Sequence, residues 1–346
     1  MVSGADPLVC LARSGDRSAF EALVSPHQRE LRALCYRMLG SSQDAEDALQ
    51  DSLLAAWKGL PTFEGKSALR SWLYTIATHA CLRLIERRPP RLLSSDIGPA
   101  FLDTADLGQP VADTAFVEPW LEAGPSDAHE DAAAILIKRE SLELAFVAAL
   151  QHLPGTQRAA VVLCDVLEFS ATEAAESLNT TVPALNSALQ RGRKALAARS
   201  GGLSQQQERA ALGQQGERAL VRALVTAWER SDVAGLLNLL SEGARFTMPP
   251  LPAWFSGRQW VGRFFAERVF AHPWRLKLIA PNGQFGFACY MRGPGSDVFQ
   301  LAAVNVISLD AGKIGWIAGF LDPALHRATG LPTTWEDDVE NLSADR

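Results

Sequence analysis

The chain has 346 residues, of which 47% are hydrophobic and 21% are charged, and its formal net charge is -6. This composition is ordinary for a globular protein and excludes a collagen-like or wholly disordered chain. At about 150 residues per domain, the length predicts two or three domains. The negative net charge, taken alone, argues against nucleic-acid binding.

The charge is unevenly distributed along the chain. Residues 61–91 hold six basic and two acidic residues, and residues 182–199 hold four basic residues and no acidic one. Between them, residues 92–137 contain nine acidic residues and neither Lys nor Arg. Two basic segments separated by an acidic spacer indicate two sites for a polyanion, which the net charge conceals.

Cysteine usage and hydropathy bear on the location of the protein. The five cysteines are scattered without a Cys-x-x-Cys pair, which predicts reduced thiols and neither a zinc site nor a disulfide framework. No apolar run reaches the roughly 18 residues of a membrane span, and the N-terminus lacks a signal-peptide pattern. We therefore expect a cytoplasmic protein with no cofactor and no membrane partner.

Residues 6–91 show helical periodicity almost throughout. Gly40 ends one helix, and Ser41 with Asp44 three residues later forms a capping box that begins the next helix. The acidic side chains of this next helix share one face: Asp44, Asp47 and Asp51. Pro61 ends the helix, because proline removes a backbone hydrogen bond. The whole segment is predicted to be a helical bundle.

Two segments have the composition of linkers. Residues 92–130 are acidic and rich in Pro and Gly, and residues 200–213 follow Gly-Gly with a Gln-rich and Glu-rich run. Between them, residues 131–199 return to helical periodicity. The first linker contains three apolar side chains that can anchor it, namely Phe116, Trp120 and Leu121.

The pattern changes after residue 213. An amphipathic helix over 217–229 is followed by short helical pieces and then by four candidate strands, at 274–280, 284–292, 298–309 and 313–320. Turn-forming pairs lie between these strands: Asn282-Gly283, Pro294-Gly295 and Ala311-Gly312. We predict an α+β domain with an antiparallel meander over 214–331, and an acidic tail over 332–346.

The sharpest motif lies in residues 170–196. Ser170 and Glu173 form a capping box for one helix, and Thr181 caps a second helix after a tight turn. The outer face of the second helix is polar and basic: Thr181, Ala184, Asn186, Ser187, Gln190, Arg191, Arg193 and Lys194. A helix-turn-helix needs amide and small side chains for base edges and basic ones for phosphates. The alternative is a helical hairpin with a merely solvated basic face.

A second candidate nucleic-acid surface lies over residues 63–88. Aromatic and basic side chains are interleaved here: Phe63, Lys66, Arg70, Trp72, Tyr74, Arg83, Arg87 and Arg88. This mixture suits the stacking of unpaired bases and the neutralisation of their phosphates. The spacing of Trp72 with Ile76 fits a buried core position equally well.

Four motifs occur in a specific order. They are DAEDALQD at 44–51, FEGK at 63–66, SWLYTIAT at 71–78, and Leu153-Pro154 followed by the helix-turn-helix. Their order and spacing over residues 6–200 resemble the extracytoplasmic-function (ECF) group of sigma-70 family RNA polymerase sigma factors. The resemblance implies two all-α domains, a region 2 helical bundle at 6–91 and a region 4 helix-turn-helix at 131–199, without a region 3 domain.

The resemblance also implies partners, namely core RNA polymerase and promoter DNA. The acidic helix would contact the clamp helices of the β′ subunit through Asp44, Glu46, Asp47, Gln50 and Asp51. Region 2 would capture melted minus-10 bases through Phe63, Lys66, Arg70, Ser71, Trp72, Tyr74, Thr78, His79, Arg83, Arg87 and Arg88. Region 4 would contact the β flap and read the minus-35 duplex through the eight outer residues of its second helix.

Some features of this chain limit what the resemblance implies. The acidic linker would either thread into the polymerase channels or serve as a solvated tether, and the sequence leaves both open. His79 stands where the family commonly carries Asn, Arg83 where an acid is frequent, and Asn186 where Lys is more usual. Promoter preference therefore cannot be transferred from relatives.

Residues 214–331 resemble the SnoaL-like, nuclear-transport-factor-like cone fold through motifs at 228–232, 246–252 and 254–258. Such a cone leaves a pocket, with candidate residues Trp228, Met248, Trp254, Phe255, His272, Arg292, Trp316 and Asp322. No close acid–base constellation is visible, so we expect a regulatory domain and not an enzyme. This domain would contact the first linker or region 2, with a small ligand as a further candidate partner.

Two other functions are open at the sequence level. A stand-alone helix-turn-helix regulator would bind its operator without polymerase. This function gives no role to the acidic helix. A SnoaL-like cyclase or isomerase fused to a helical targeting part would retain turnover in residues 204–346. The acidic and basic segments together favour the sigma factor.

Overall fold

The computed structural model describes residues 7–63, 68–111, 116–121, 142–199 and 204–335. The chain divides into two compact units. The N-terminal unit takes residues 1–92, 114–120 and 127–201, and the C-terminal unit takes residues 93–113, 121–126 and 202–346. No helix in the described ranges combines the length and apolar character that crossing a bilayer requires.

The first part of the N-terminal unit is a helical bundle, as predicted. Its helices are α1 (Pro7–Arg13), α2 (Arg17–Leu39), α3 (Ser42–Gly59) and α4 (Leu69–Arg87). Gly40 has a φ of 67° and ends α2, and the Ser41 hydroxyl accepts from the Asp44 amide at 3.1 Å at the start of α3. Pro61 lies in a single 3₁₀ turn after α3.

A short helix, α5 (Ser94–Ile97), belongs to the C-terminal unit. The N-terminal unit continues with α6 (Leu144–Gln151), α7 (Gly155–Val161), a π-helical turn (Val162–Val166), α8 (Ala171–Ser177) and α9 (Val182–Ala197). Helices α8 and α9 form the predicted helix-turn-helix. Asn179 in its turn has a positive φ of 49°, a conformation that Asn tolerates better than most residues.

A buried arginine connects α7 to α2. Arg158 is 3% exposed, and it donates to Oε1 of Gln151 at 2.7 Å, to the Leu153 carbonyl at 3.1 Å and to the Met38 carbonyl. Burial lowers the pKa of Arg158 to about 10, so the guanidinium is still charged at neutral pH. The helix-turn-helix half of the unit is thereby tied to the end of α2.

The C-terminal unit contains α10 (Gln205–Glu229), α11 (Val233–Leu239), α12 (Arg258–Glu267) and α13 (Pro323–Ala328). Its strands are β1 (Leu240–Thr247), β2 (Trp254–Ser256), β3 (Trp274–Ile279), β4 (Phe285–Arg292), β5 (Phe299–Asp310) and β6 (Lys313–Phe320). They form one sheet in the order β2-β1-β6-β5-β4-β3, with β1 parallel to β6 and the other pairs antiparallel.

The predicted meander over β3 to β6 is confirmed, whereas β1 and β2 replace residues that we expected to be short helical pieces. Strand β1 carries Gly243 and a register shift between Leu240 and Arg245, so its sequence lacks regular alternation. The turn between β5 and β6 has positive φ at both Ala311 and Gly312, as the hairpin signal predicted. Together the helices and the curved sheet form an α+β cone.

The second predicted linker is wrong over most of its length, because residues 205–212 are the first part of α10, which has a kink at Gly213. Tertiary hydrogen bonds fix this segment. The Glu208 carboxylate accepts from the backbone amides of Ala311 and Gly312, both at 3.1 Å. The polar residues that suggested a linker therefore bind a turn of the sheet.

The first predicted linker is also partly structured. Residues 93–111, which we call the strap, belong to the C-terminal unit. The Phe101 amide donates to the Trp254 carbonyl at 2.8 Å, and the Trp254 indole donates to the Gly98 carbonyl at 2.9 Å. Residues 98–101 are therefore bound to β2. Neither of the two roles considered for this linker, a solvated tether or a peptide in the polymerase channels, predicts such binding.

The rest of the strap continues over the same unit. The Thr104 hydroxyl donates to the Glu267 carboxylate at the end of α12, and the Val111 amide donates to the Pro250 carbonyl at 3.1 Å. Leu107, between these two attachments, packs against the apolar core. The strap thus runs from the end of α12 to the loop between β1 and β2, with an apolar side chain packed on the core.

Residues 116–120 belong to the N-terminal unit. Phe116 and Trp120 are 8% and 2% exposed, which confirms that they anchor this part of the chain. The Glu118 carboxylate accepts from the Ser41 hydroxyl at 2.8 Å. This part of the acidic segment is therefore attached to the start of α3.

Candidate nucleic-acid interfaces and apolar pocket

The outer face of α9 is open to solvent. All eight residues predicted to read the minus-35 element are exposed: Thr181, Ala184, Asn186, Ser187, Gln190, Arg191, Arg193 and Lys194. The inner face is buried through Leu185, Leu189, Gly192 and Leu196. The helix therefore presents one polar and basic surface while its apolar stripe holds it on the unit.

Gly192 determines how closely α9 packs. A Cβ atom at this position would lie 2.8 Å from Cγ2 of Val161 on α7, closer than carbon atoms normally approach. A residue without a side chain is therefore required for this packing, and α9 lies close against the α7 side chains. This close packing fixes the orientation of the outer face.

One basic side chain of α9 is already paired with an acid. Nε of Arg193 donates to Oδ2 of Asp165 at 2.9 Å, and this hydrogen bond raises the pKa of Arg193. A phosphate that binds Arg193 has to displace the carboxylate first. This cost reduces the contribution that Arg193 can make to DNA affinity.

The predicted minus-10 surface is partly internal. Phe63, Tyr74 and Thr78 are 7%, 0% and 0% exposed. Tyr74 and Thr78 are buried because α4 packs between α2 and α8, and Phe63 packs on the Trp72 ring. The Tyr74 hydroxyl donates to the Glu30 carboxylate, and burial raises the pKa of Tyr74. The prediction that these three side chains contact bases does not fit this arrangement.

Trp72 satisfies both interpretations of its spacing. The centroid of the Trp72 ring lies 4.8 Å from that of Phe63, and a Cβ atom at Gly59 would lie 3.3 Å from Cζ2 of Trp72. The Trp72 side chain is nevertheless only half-buried. Arg70 is also half-buried, and its guanidinium lies 4.8 Å above the Tyr74 ring. Both side chains therefore pack on one side and face solvent on the other.

The remaining minus-10 candidates differ in exposure. Ser71 and His79 are half-buried, and three arginines are exposed, namely Arg83, Arg87 and Arg88. Lys66 lies outside the described residues. Arg88, just after α4, is paired with the Asp44 carboxylate, so the open basic surface of α4 is formed by Arg83 and Arg87 near its C-terminal end.

The helix-turn-helix lies against α4. The hydroxyls of Thr75 and Ser177 are 2.9 Å apart, and the Asn179 amide nitrogen is 3.3 Å from Nε2 of His79. The Phe169 ring, just before α8, lies 5.6 Å from the Tyr74 ring. The N-terminal unit thus holds its two candidate DNA-reading helices in one packed body.

The acidic helix separates into an inner and an outer part. Asp44 is 6% exposed, and Oδ2 of Asp44 lies 2.6 Å from a guanidinium nitrogen of Arg91. This pairing differs from the expected polymerase contact, because the Asp44 carboxylate binds the residue Arg91, which follows α4, and faces inward. The outer part is half-buried at Glu46 and exposed at Asp47, Gln50 and Asp51.

The C-terminal unit contains a half-open, mostly apolar cavity of about 260 Å³. Its walls include the predicted residues Trp228 and Met248, together with Leu107 of the strap. The other lining residues are Phe246, Leu251, Phe264, Arg268, Val269, Trp274, Met291, Ala303, Asn305, Gly319 and Leu321. The cone forms most of the walls, the strap forms part of one side, and the cavity opens to solvent.

Six predicted pocket residues are not in these walls: Trp254, Phe255, His272, Arg292, Trp316 and Asp322. Three of these six residues have another structural role, namely Trp316, Phe255 and Asp322. The Trp316 indole donates to the Thr247 hydroxyl at 3.0 Å, and Phe255 stacks on Phe264 with ring centroids 4.7 Å apart. Asp322 caps α13. Strand alternation turns the side chains of Trp254, Arg292 and Trp316 to the other face of the sheet, since their neighbours Met291 and Phe246 face the cavity.

The sequence missed Leu107, Asn305 and Gly319. Asn305 carried a detectable signal, because it is the one polar residue in the run AAVNVI of a predicted strand. Leu107 lies in a segment with linker composition, so nothing local indicated its burial. Within the described ranges, no group of three or more His, Cys, Asp or Glu side chains could hold a metal ion.

Family models match both halves of the N-terminal unit. Residues 23–89 match sigma-70 region 2, and residues 143–196 match sigma-70 region 4. The helical bundle and the helix-turn-helix therefore define a sigma-70-type transcription factor.

Proteins of similar sequence show to which group of sigma factors the chain belongs. ECF RNA polymerase sigma factor SigG of Mycobacterium tuberculosis is 37% identical over 321 residues, which cover 91% of this chain and 85% of that protein. ECF RNA polymerase sigma factor SigM of the same species is 34% identical over 187 residues, 53% of this chain and 78% of that protein. The chain belongs to the ECF RNA polymerase sigma factors, and it is a promoter-directing factor.

A solved structure shares the fold. The crystal structure of the extracytoplasmic function sigma factor SigJ of Mycobacterium tuberculosis superposes with a TM-score of 0.57 at 23% identity. The match covers 92% of this chain and 100% of that chain. The SnoaL-like α+β cone after the helical sigma domains is therefore part of a shared architecture.

Proposed function

We propose that α9 reads the minus-35 element and that region 4, over 131–199, contacts the β flap of core polymerase. The observation that carries this proposal is the outer face of α9, on which every predicted contact residue is exposed. Asn186 and Gln190 offer amides to base edges, while Arg191 and Lys194 offer charge to phosphates.

Region 2, over 6–91, is proposed to make two contacts. The exposed part of α3, at Asp47, Gln50 and Asp51, docks on the clamp helices of the β′ subunit, where opposite charge speeds encounter and fixes orientation. The exposed end of α4 and the open side of Trp72 capture minus-10 bases. This assignment places the factor in the cytoplasm, with the polymerase.

The proposed minus-10 contact requires α8 to leave α4. The contacts of Ser177 and Asn179 with α4 cover part of the surface that melted bases would use. Reading both promoter elements at once requires the two helices to be far apart along the DNA. The packed N-terminal unit is therefore proposed to be the form without polymerase.

The C-terminal domain, proposed to start at Ser204 because α10 packs on the sheet, regulates this factor and is not an enzyme. Two observations support this role. Neither His272 nor Asp322 lines the cavity, so the acid and base considered from the sequence do not meet a substrate site. The strap is held on this domain, so the domain controls how much of the linker is free.

Run-off transcription with purified core polymerase on genomic fragments tests the sigma function. We expect discrete start sites with polymerase and weak binding to promoter duplex by the chain alone. Replacing Arg191 and Lys194 by Ala should reduce transcription, whereas the same change at Arg218 and Arg222, exposed on α10, should not. Tight operator binding without polymerase would instead support a stand-alone regulator.

Two substitutions test the regulatory role, because each removes one hydrogen bond that holds the strap. Thr104→Val keeps the size of the side chain, and Trp254→Phe keeps an aromatic ring. We expect transcript yield to change at equal protein concentration. Trp260→Phe is the matched control, since its indole makes no strap contact. Unchanged yield in both strap variants would contradict regulation through the strap.

A further inference from the structure

The cavity of the C-terminal domain is lined by apolar side chains except at two residues, the exposed Arg268 after α12 and the buried Asn305 on β5. Of the strand residues around it, Ala303 and Asn305 are two apart on β5, so both side chains point to the same face of the sheet. Asn305 is 2% exposed. An amide in this position sits among Trp, Phe, Met and Leu side chains.

The neighbouring strand leaves room for the amide. Gly319 lies directly opposite Asn305 in the pairing of β5 with β6. A Cβ at Gly319 would lie only 2.8 Å from Oδ1 of Asn305, so the amide oxygen occupies the space that a side chain would fill. Because Asn305 and Gly319 both line the cavity, Oδ1 is at its wall.

Hydrogen bonding leaves this oxygen without a partner. The Cys289 thiol donates to the Phe287 carbonyl at 3.6 Å, and burial raises the pKa of Cys289, which keeps the thiol proton in place. The sulfur therefore accepts from Nδ2 of Asn305, at 3.2 Å. Oδ1 of Asn305 is buried and has no hydrogen-bond partner in the described residues. An unpaired acceptor in an apolar interior is costly unless something binds it.

A second buried polar atom belongs to the same walls. Nε1 of Trp228 has no hydrogen-bond partner within the described ranges, and Trp228 is 2% exposed. The indole can donate to an oxygen, whereas the Asn305 amide oxygen can only accept. A hydroxyl group both donates and accepts, so one hydroxyl-bearing molecule has the complementary chemistry.

The strap closes the cavity over this polar wall. Leu107 contributes a lining side chain, and the strap is attached on either side of it by Thr104 and Val111. The space of about 260 Å³ is present with Leu107 in place, so an occupant fits beneath a closed strap. This volume lies just below the roughly 300–1,000 Å³ of typical ligand pockets, which restricts the occupant to a small molecule.

We propose that the cavity binds a small, mostly apolar molecule whose hydroxyl group donates to Oδ1 of Asn305, and that Leu107 closes over it. A bound molecule adds contacts to Leu107 and holds the strap more firmly on the domain. The effect of this binding on transcription rests on the proposed regulatory role. The strap thereby couples occupancy of the cavity to the freedom of the linker.

The hydroxyl requirement is tested with two probes of one shape, 2-naphthol and naphthalene, titrated calorimetrically into the full chain without polymerase. We expect saturable 1:1 binding of 2-naphthol and about tenfold weaker binding of naphthalene. Asn305→Leu should weaken 2-naphthol about tenfold and leave naphthalene unchanged. Gln300→Leu, which also replaces an amide by leucine but at an exposed position of β5, should alter neither.

Three results would overturn the proposal: no saturable 2-naphthol binding, equal affinity for the two probes, or unchanged 2-naphthol binding by Asn305→Leu. Thermal unfolding of the variant checks that it is folded. We expect a melting temperature close to that of the parent chain, because the substitution loses the hydrogen bond to Cys289 but also removes an unpaired buried oxygen.

Leu107 is tested separately by hydrogen exchange. Saturating 2-naphthol should slow amide exchange over residues 98–111, and Leu107→Ala should weaken 2-naphthol severalfold. Faster exchange with ligand would show that the molecule expels the strap and would overturn the closing role of Leu107. These measurements contain no polymerase, so a chain that transcribes but does not bind the probe refutes the ligand site and leaves the sigma function intact.

Discussion

The side-chain amide of Asn179 lies 3.3 Å from Nε2 of His79. The first residue lies in the turn of the helix-turn-helix, and the second lies on the helix that carries the minus-10 candidates. The turn that precedes the proposed minus-35 helix is therefore in contact with the helix proposed to read the minus-10 element.

A disulfide across this contact should block initiation. Thr75→Cys with Ser177→Cys places two thiols where the hydroxyls are 2.9 Å apart, close enough for a bond of about 2 Å after small adjustment. We expect the oxidised double variant to lose run-off transcription and to regain it on reduction, because α8 can leave α4 only when the bond is broken.

Each single cysteine variant, oxidised in the same way, is the control and should transcribe normally. Cys10 is exposed and is best replaced by Ser in this background to avoid unwanted pairing. Full transcription by the oxidised double variant would mean that the two helices do not need to separate.

Substitutions on α9 should fall into two groups. Replacing Arg191 and Lys194 by Ala should weaken binding of the holoenzyme to all promoters and reduce the salt slope by about one per lost phosphate contact. Replacing Asn186 or Gln190 should change sequence preference instead. Binding titrations at several salt concentrations on a promoter library measure both; an unaltered preference would mean that the other face contacts DNA.

Gly192→Ala should destabilise the N-terminal unit. The added Cβ meets Val161 Cγ2 at 2.8 Å, and overpacking of this kind costs about 1–3 kcal/mol, which outweighs the roughly 1 kcal/mol that alanine gains in a helix. Thermal unfolding measures the loss. Gly216→Ala is the matched control, since its nearest neighbour is 3.5 Å away, and it should be neutral or stabilising.

The C-terminal domain should lose stability on acidification through His326. Burial lowers the pKa of His326, whose ring nitrogen lies 2.8 Å from the Phe320 carbonyl. The unfolded chain therefore binds a proton at a higher pH than the folded one, and stability falls as the pH drops below the ordinary histidine value of about 6.5.

Hydrogen exchange over β6, corrected for the intrinsic pH dependence, measures this effect at pH 7.5 and 5.5. We expect weaker protection at the lower pH. In His326→Gln the difference should shrink, because glutamine does not titrate. A difference of the same size in both proteins would assign the effect to other groups.

Local patterns predicted the helix-turn-helix correctly. The spacing of Leu185, Leu189 and Leu196 defines a buried stripe, and the remaining positions of α9 are then exposed by geometry alone. The strands of the meander were equally visible, since a β-rich run and a turn pair such as Ala311-Gly312 are both local signals.

Features that depend on distant residues were not predicted. Asp44 was assigned to an exposed acidic face by its spacing, but its partner Arg91 lies 47 residues further along the chain. Glu208 lies in a polar run that resembled a linker. Its two amide partners belong to the turn between β5 and β6, more than 100 residues away, so no local pattern showed that Glu208 is bound. The pocket oxygen of Asn305 required the strand register that places it opposite Gly319.

Cys289 gives the C-terminal domain an internal reporter. Its side chain is 0% exposed and burial raises the pKa of its thiol, whereas thiol reagents attack the exposed thiolate. Alkylation of Cys289 can therefore proceed only when the cone opens around β4. The rate of that alkylation, followed by mass spectrometry of the native chain, reports the opening frequency of the domain without any introduced label.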